Sequence, residues 1–110
     1  MGRLAEARAQ IAECLALVLA LGARRVGAYA LEASAELAVA LEEAERAARL
    51  TGAAEALRRA IGSPMEDFKE QEEQTALLTR IRDRLAEDRF ARASAEGRSL
   101  MFEAAVKSAL

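Results

Sequence analysis

Apolar residues recur at alternating intervals of three and four along most of this sequence, and no other feature restricts its fold so strongly. Leu4, Ala7, Ile11, Cys14, Val18 and Leu21 obey that spacing, which sets them on one stripe of a helix with about 3.6 residues per turn. Leu15, Leu17 and Leu19 widen the stripe, so a first helix is expected to be held between neighbours. Ala47, Leu50, Ala54, Leu57 and Ile61 repeat the pattern in a helix over about 42–61, and Phe102, Val106 and Leu110 follow at a spacing of four near the end. Between them, a helix over about 24–40 is expected to pack through Val26, Ala30, Ala33, Leu37 and Ala40. With 28 Ala and 15 Leu but only one Pro among 110 residues, the composition favours helix and offers few hairpin turns. The fold class predicted is all-α with about five or six helices.

Glycine supplies most of the punctuation, because a helix often ends on a left-handed residue that Gly adopts cheaply. Gly22, Gly62 and Gly97 are the expected stops. Gly52 falls inside the third helix, where it costs about 1 kcal/mol relative to Ala, and this predicts a neighbouring helix crossing closely there. Ser63-Pro64-Met65-Glu66 reads as a helix start, with Ser63 as cap, Pro64 in the first helical position and Glu66 reaching back. The fourth helix then buries Thr75, Leu78, Ile81 and Leu85. Along the third, Glu42 to Arg46, Glu45 to Arg49 and Glu55 to Arg59 are expected to pair at four-residue spacing. A chain this short forms a single domain, read as residues 1–62 of paired helices followed by a capping helical tail over 63–110.

Charge and residue inventory exclude several functions. Sixteen Lys and Arg against eighteen Asp and Glu leave a formal charge of −2, so no net field draws the chain toward nucleic acid or an anionic membrane. His is absent, which removes the commonest general base and metal ligand. No nucleophile with an activating neighbour can be named, and the chain is expected not to be an enzyme and to need no cofactor. Glu66, Glu70 and Glu73 share one helical face, but helix-bundle metal sites also recruit His, and no metal site is expected. The lone Cys14 cannot form an internal disulfide, and the longest apolar run, Cys14 to Leu21, is too short to cross a bilayer. A cytoplasmic location is expected, with Cys14 in the core.

Four stretches carry a resemblance to a known family. They are Leu21-Gly22-Ala23-Arg24-Arg25, Ala28-Tyr29-Ala30-Leu31-Glu32, the run from Glu45 to Arg58, and Ile61-Gly62-Ser63-Pro64. Together they resemble the C-terminal tetratricopeptide-like repeat region of large bacterial LuxR-type and activator-type signalling ATPase regulators. Similar regions follow some bacterial adenylate cyclases and kinases. Leu85 to Phe90, Ala95 to Arg98 and Phe102 to Val106 resemble the end of that region, so the likeness spans nearly the whole chain. It implies antiparallel helix pairs and a non-catalytic interaction or regulatory module. Three positions depart from the family pattern. Ala86 replaces a usual Gly and offers no break between the fourth and fifth helices. Ser94 replaces an aromatic and removes a core anchor, and Met101 replaces a Ser or Thr cap.

In tetratricopeptide arrays the first helix of each pair lines a concave groove, which by resemblance makes Arg25, Tyr29, Glu32 and Glu36 the expected partner-binding stripe. A solvated charged face is the ordinary alternative. Few stacked repeats bury too little core to stand alone, so homodimerisation through Ile11, Leu15, Val18 and Leu19 is expected. A small-molecule sensor with an apolar pocket between helices is the second reading.

Overall fold

The computed structural model describes residues 2–110, so Met1 of the expected domain lies outside it. Among the described residues there are six α-helices: α1 (Gly2–Leu21), α2 (Arg24–Ala40), α3 (Ala44–Ile61), α4 (Phe68–Arg82), α5 (Glu87–Arg98) and α6 (Phe102–Ala109). The all-α class is therefore correct, with no strand among these residues.

Gly22 and Gly62 end α1 and α3 as expected, with φ of 64° and 66°. At the second of these turns Gly62 N–H donates to the Arg59 carbonyl and Ser63 N–H to that of Arg58, which satisfies carbonyls the helix leaves without partners. The α2–α3 turn does the same work without glycine. Glu42 takes φ of 62° while Glu43 N–H donates to the Ala38 carbonyl at 2.8 Å. Of the starts of α2 to α6, only that of α4 is capped by a side chain, Asp67 accepting from Lys69 N–H at 2.8 Å. The other helix starts depend on tertiary packing, which is where short helices gain most of their stability.

Helix α3 is the central element and packs most extensively on α2 and α5. The α2–α3 pair is antiparallel, since only residues 41–43 connect two helices that pack against each other along their length. Helices α3 and α5 run in the same direction: Glu45 pairs with Arg89, 44 residues on, and Arg49 with Glu96, 47 residues on. At their crossing the backbones nearly touch. A Cβ built on Gly52 would overlap the Ser94 carbonyl, and one on Gly97 would stand 2.9 Å from Ala53 N and overlap the Arg49 carbonyl. Helix α1 flanks α2, and α6 folds back to pack on α1, α2 and α3. The centre is filled by Leu15, Leu31, Leu50, Ile81 and Val106, all buried.

Several expectations need correction. Gly97 is no stop, because it lies buried within α5 at this crossing. Gly52 does mark a close crossing, and Ser94, far from leaving a hole, supplies the small residue that the approach requires. Pro64 does not begin α4, which starts at Phe68 after an irregular 63–67 segment, because Asp67 is the residue that caps it. Residues 83–86 separate α4 from α5, with Ala86 extended at φ −58° and ψ 144°. Helix α5 is the principal partner of α3, and α6 covers parts of α1, α2 and α3. In α2 the expected Ala30 is buried, but the packed face is completed by Gly27, Ala28, Leu31, Ala35 and Ala38, while Val26 and Ala40 are exposed. In α4, Leu77 and Ile81 are the buried residues, and Thr75 is exposed. Of the expected ion pairs along α3, Glu55–Arg59 forms at 3.0 Å. Glu45 and Arg49 turn instead to α5, Glu42 to Arg84, and Arg46 to the Ala109 carbonyl at 2.7 Å.

Candidate functional site

Arg25, Tyr29, Glu32 and Glu36 occupy one side of α2, and the structure ties the middle two of them to α3. Arg58 sits on the buried side of α3, continuing the stripe of Ala47, Thr51 and Ala54. Its guanidinium forks onto Glu32, Nε donating to Oε2 at 2.5 Å and Nη2 to Oε1 at 2.9 Å. The remaining Nη1 donates to the Ser63 carbonyl at 3.0 Å, and the guanidinium carbon lies 4.9 Å from the Tyr29 ring centre. The two charged side chains are only 9% and 15% accessible, and such burial is tolerable because the pair is bidentate and its donors are matched. The Glu32 hydrogen bonds raise the Arg58 pKa above its already high ordinary value, outweighing the opposing effect of burial. Glu32 is thus committed within the fold, one face of the Tyr29 ring is covered, and Arg25 and Glu36 are exposed at the two ends of the stripe.

Tyr29, half-exposed, stands between two concavities. On the α4 side, Glu36, Met65, Glu70 and Glu73 line a hollow of about 210 Å³ with Tyr29 and Ala33. It shares Glu32, Met65 and Gln74 with a larger open cleft of about 540 Å³, walled by Arg58, Pro64 and Leu78. On the α1 side, Ile11, Cys14, Val26, Tyr29 and Ala30 line an apolar hollow of about 250 Å³. Cys14 is only partly buried here, where a core position was expected. Gln10, Cys14, Leu17 and Leu21 follow one another at spacings of four, three and four, so the edge of this hollow continues to Leu17 and Leu21, which are 60% and 76% exposed. Helices α1, α2 and α4 thereby present one face, apolar toward α1 and acidic toward α4.

The expected self-association set does not form a surface. Leu15 and Val18 are 0% and 1% exposed, and Ile11 and Leu19 are partly buried against the same core. The wide apolar girth of α1 is explained by α2 and α6 together, which cover that side. The arginines of α4 and α5 are dispersed: Arg82 lies over Phe90 at 4.4 Å, and Arg84 and Arg89 approach Glu42 and Glu45. Among the described residues no three His, Cys, Asp or Glu side chains are placed to share a metal ion, and no helix is long and apolar enough to cross a membrane.

Sequence reasoning missed Arg58, Met65, Glu70 and Glu73 as members of this face. One signal was present for Arg58, a cation continuing an otherwise apolar stripe of α3. Met65 gave none, and Glu70 and Glu73 were visible only as a shared acidic helical face, since the fold of the 63–67 segment is what brings them opposite α2. No family model, curated protein or solved structure matches the chain.

Proposed function

We propose that this chain is a non-catalytic interaction module that holds a protein segment on its α1–α2–α4 face, as part of a bacterial signalling or transcription-regulatory protein. The observation that carries the reading is the Tyr29 ridge: an exposed aromatic, pinned from behind by the Arg58–Glu32 clamp, between two open concavities. Rigid aromatic side chains beside apolar pockets concentrate binding energy and lose little entropy on docking. The tetratricopeptide-like arrangement implied by the resemblance, in which the first helix of each pair faces the partner, stays part of this proposal, although the residues that touch between the parallel α3 and α5 are 44 and 47 positions apart, a longer interval than the roughly 34 residues of such a repeat. Regulation would operate by coupling free energy, with an occupied face altering how neighbouring domains pack. The homodimer expected from the sequence stays within this proposal, but it would have to use Leu17, Leu21 and Val26, because Leu15 and Val18 are in the core.

The test is a displayed random-peptide library selected on the intact chain and counter-selected on a Tyr29→Ser, Val26→Lys variant. Peptides that bind the first and not the second support the reading. A library yielding no binder, or only binders indifferent to both substitutions, overturns it. A second reading, a small-molecule sensor, is favoured by the size of the cleft beside Arg58, about 540 Å³, which falls in the usual range for ligand pockets. A dose-dependent rise in melting temperature with an apolar compound, abolished by Leu78→Asp, would support it.

A further inference from the structure

The face divides by chemistry, and the division specifies an occupant. Along its α1 side run Cys14, Leu17, Leu21 and Val26, with Tyr29 at the ridge. Across the ridge stand Glu36, Glu70 and Glu73, all lining one hollow. Among the described residues none of these three carboxylates has a Lys or Arg nitrogen within 4.0 Å, whereas eight other acid–base pairs do meet that distance. Of the cations on the adjoining helices, Arg58 is engaged with Glu32 and Ser63 and Arg59 with Glu55, while Lys69, beside Glu70 on α4, is exposed and makes no ion pair within 4.0 Å among the described residues. Arg25 is the one exposed cation of the α2 stripe, and it lies next to Val26, at the apolar end.

The shape of the face selects among peptide conformations. An all-helical chain offers no strand edge for an extended segment to join, and apolar anchors repeating at three and four residues suit a helix laid in a groove. From Gln10 to Leu21 the edge extends roughly 16 Å at about 1.5 Å per residue, which accommodates about three turns of a partner helix. We propose, building on the interaction-module reading, that this face takes a basic amphipathic helix of a protein partner. Its apolar side seats against Val26, Tyr29 and the α1 edge, and its Lys or Arg side chains reach Glu36, Glu70 and Glu73. Arg25 sets the orientation, since the partner's basic residues are disfavoured beside it and favoured toward the carboxyl end of α2.

The experiment titrates the intact chain with three synthetic helices of about 18 residues. One carries Leu on one face and Lys on the other, the second has Glu in place of every Lys, and the third has Ser in place of every Leu. The Leu/Lys helix is expected to bind with an affinity that falls as salt is raised, and the other two to bind at least about tenfold more weakly. A Glu36→Gln, Glu70→Gln, Glu73→Gln chain is expected to lose about tenfold for the Leu/Lys helix alone, with its melting temperature little changed because Glu36 and Glu73 are exposed and Glu70 is only partly buried. Equal binding of the Leu/Glu helix, or an unaffected triple variant, overturns the proposal. If a helix of the wrong charge binds and is lost with Tyr29→Ser and Val26→Lys, the basic assignment fails and the interaction face stands. If no probe and no library peptide depends on that face, both fail.

Discussion

Replacing Gly97 by alanine places the conflict between local helix propensity and tertiary packing on a single methyl group. In an isolated helix Gly→Ala is favourable by about 1 kcal/mol. In the folded chain the new Cβ would stand 2.8 Å from the Arg49 carbonyl carbon and 2.9 Å from Ala53 N, where ordinary contacts begin at 3.4 Å. All of these atoms are backbone, so no side chain can rotate out of the way. For the carbon alone, α5 must retreat by the difference between 3.4 and 2.8 Å, and the overlapping carbonyl oxygen demands more. A gap of 0.5–1 Å forfeits roughly a quarter to a half of the dispersion energy of the atoms that separate. The α3–α5 contact is the most extensive in the molecule, and Leu50 and Phe90, buried on these helices, are each worth about 1.5–3 kcal/mol in burial. Losing that fraction, adding about 1–3 kcal/mol of overpacking and subtracting the propensity gain leaves a net destabilisation of about 2–4 kcal/mol. For a domain of this size the melting temperature should fall by about 10–15 °C. Circular-dichroism melts of the intact chain and helicity of a peptide spanning α5 are the paired assays. Gly97→Ala should lower the first and raise the second, while Gly2→Ala, with nothing within 4 Å, should leave the melt unchanged. A Gly97→Ala chain that melts at or above the parent temperature would refute the close α3–α5 crossing.

Other perturbations test separate parts of the argument. Glu42 holds a left-handed φ of 62° at an exposed turn, so Glu42→Gly should raise stability by about 0.5–1 kcal/mol in urea unfolding, the relief of strain exceeding the entropy cost. Arg58→Met leaves Glu32 buried without its partner and should cost about 2–3 kcal/mol, with Glu32→Gln in the same chain recovering part of it. Tyr29, the one Tyr in a chain without Trp, reports that change by its fluorescence, and an unaltered signal in Arg58→Met would show the clamp to be absent. Leu15→Glu should abolish the helical signal, because it forces a carboxylate into a fully buried site, whereas Leu17→Lys should change stability by less than about 0.5 kcal/mol. Ser34 Oγ is buried without a hydrogen-bond partner among the described residues, so Ser34→Ala should stabilise the chain by about 1 kcal/mol in the same urea assay.

How far the sequence could be read varies by element. The α1 and α2 boundaries and the end of α3 were legible because Gly22 and Gly62 sit where a left-handed residue ends a helix. The start of α4 was not, because Ser63-Pro64 carries the local signature of a cap but Asp67 supplies the hydrogen bond. Gly52 and Gly97 both admit another backbone at the α3–α5 crossing, yet the sequence showed this for Gly52, inside its helix, while Gly97, near the end of one, looked like a stop. Position relative to neighbouring apolar residues cannot separate a terminating glycine from one that admits another backbone. Tyr29 and Glu36 of the candidate face were visible as an exposed stripe, while Glu32 turned inward once Arg58, 26 residues away, could reach it.

The sequence by itself determined that the chain is helical, how many helices it forms and which stretches are apolar, because those properties follow from spacing and propensity within a few turns. The tertiary structure decided which apolar residues become core and which remain on a surface. Leu15 and Leu17 are two positions apart and chemically identical, and only the placement of α2 and α6 around α1 buries the first and leaves the second in water. The same holds for charge: Glu45, Arg49 and Glu32 had partners available one turn away or none in sequence, and the packing of α2, α3 and α5 assigned them partners 26 to 47 residues distant. Burial and long-range pairing depend on how helices meet, and local sequence does not encode that meeting.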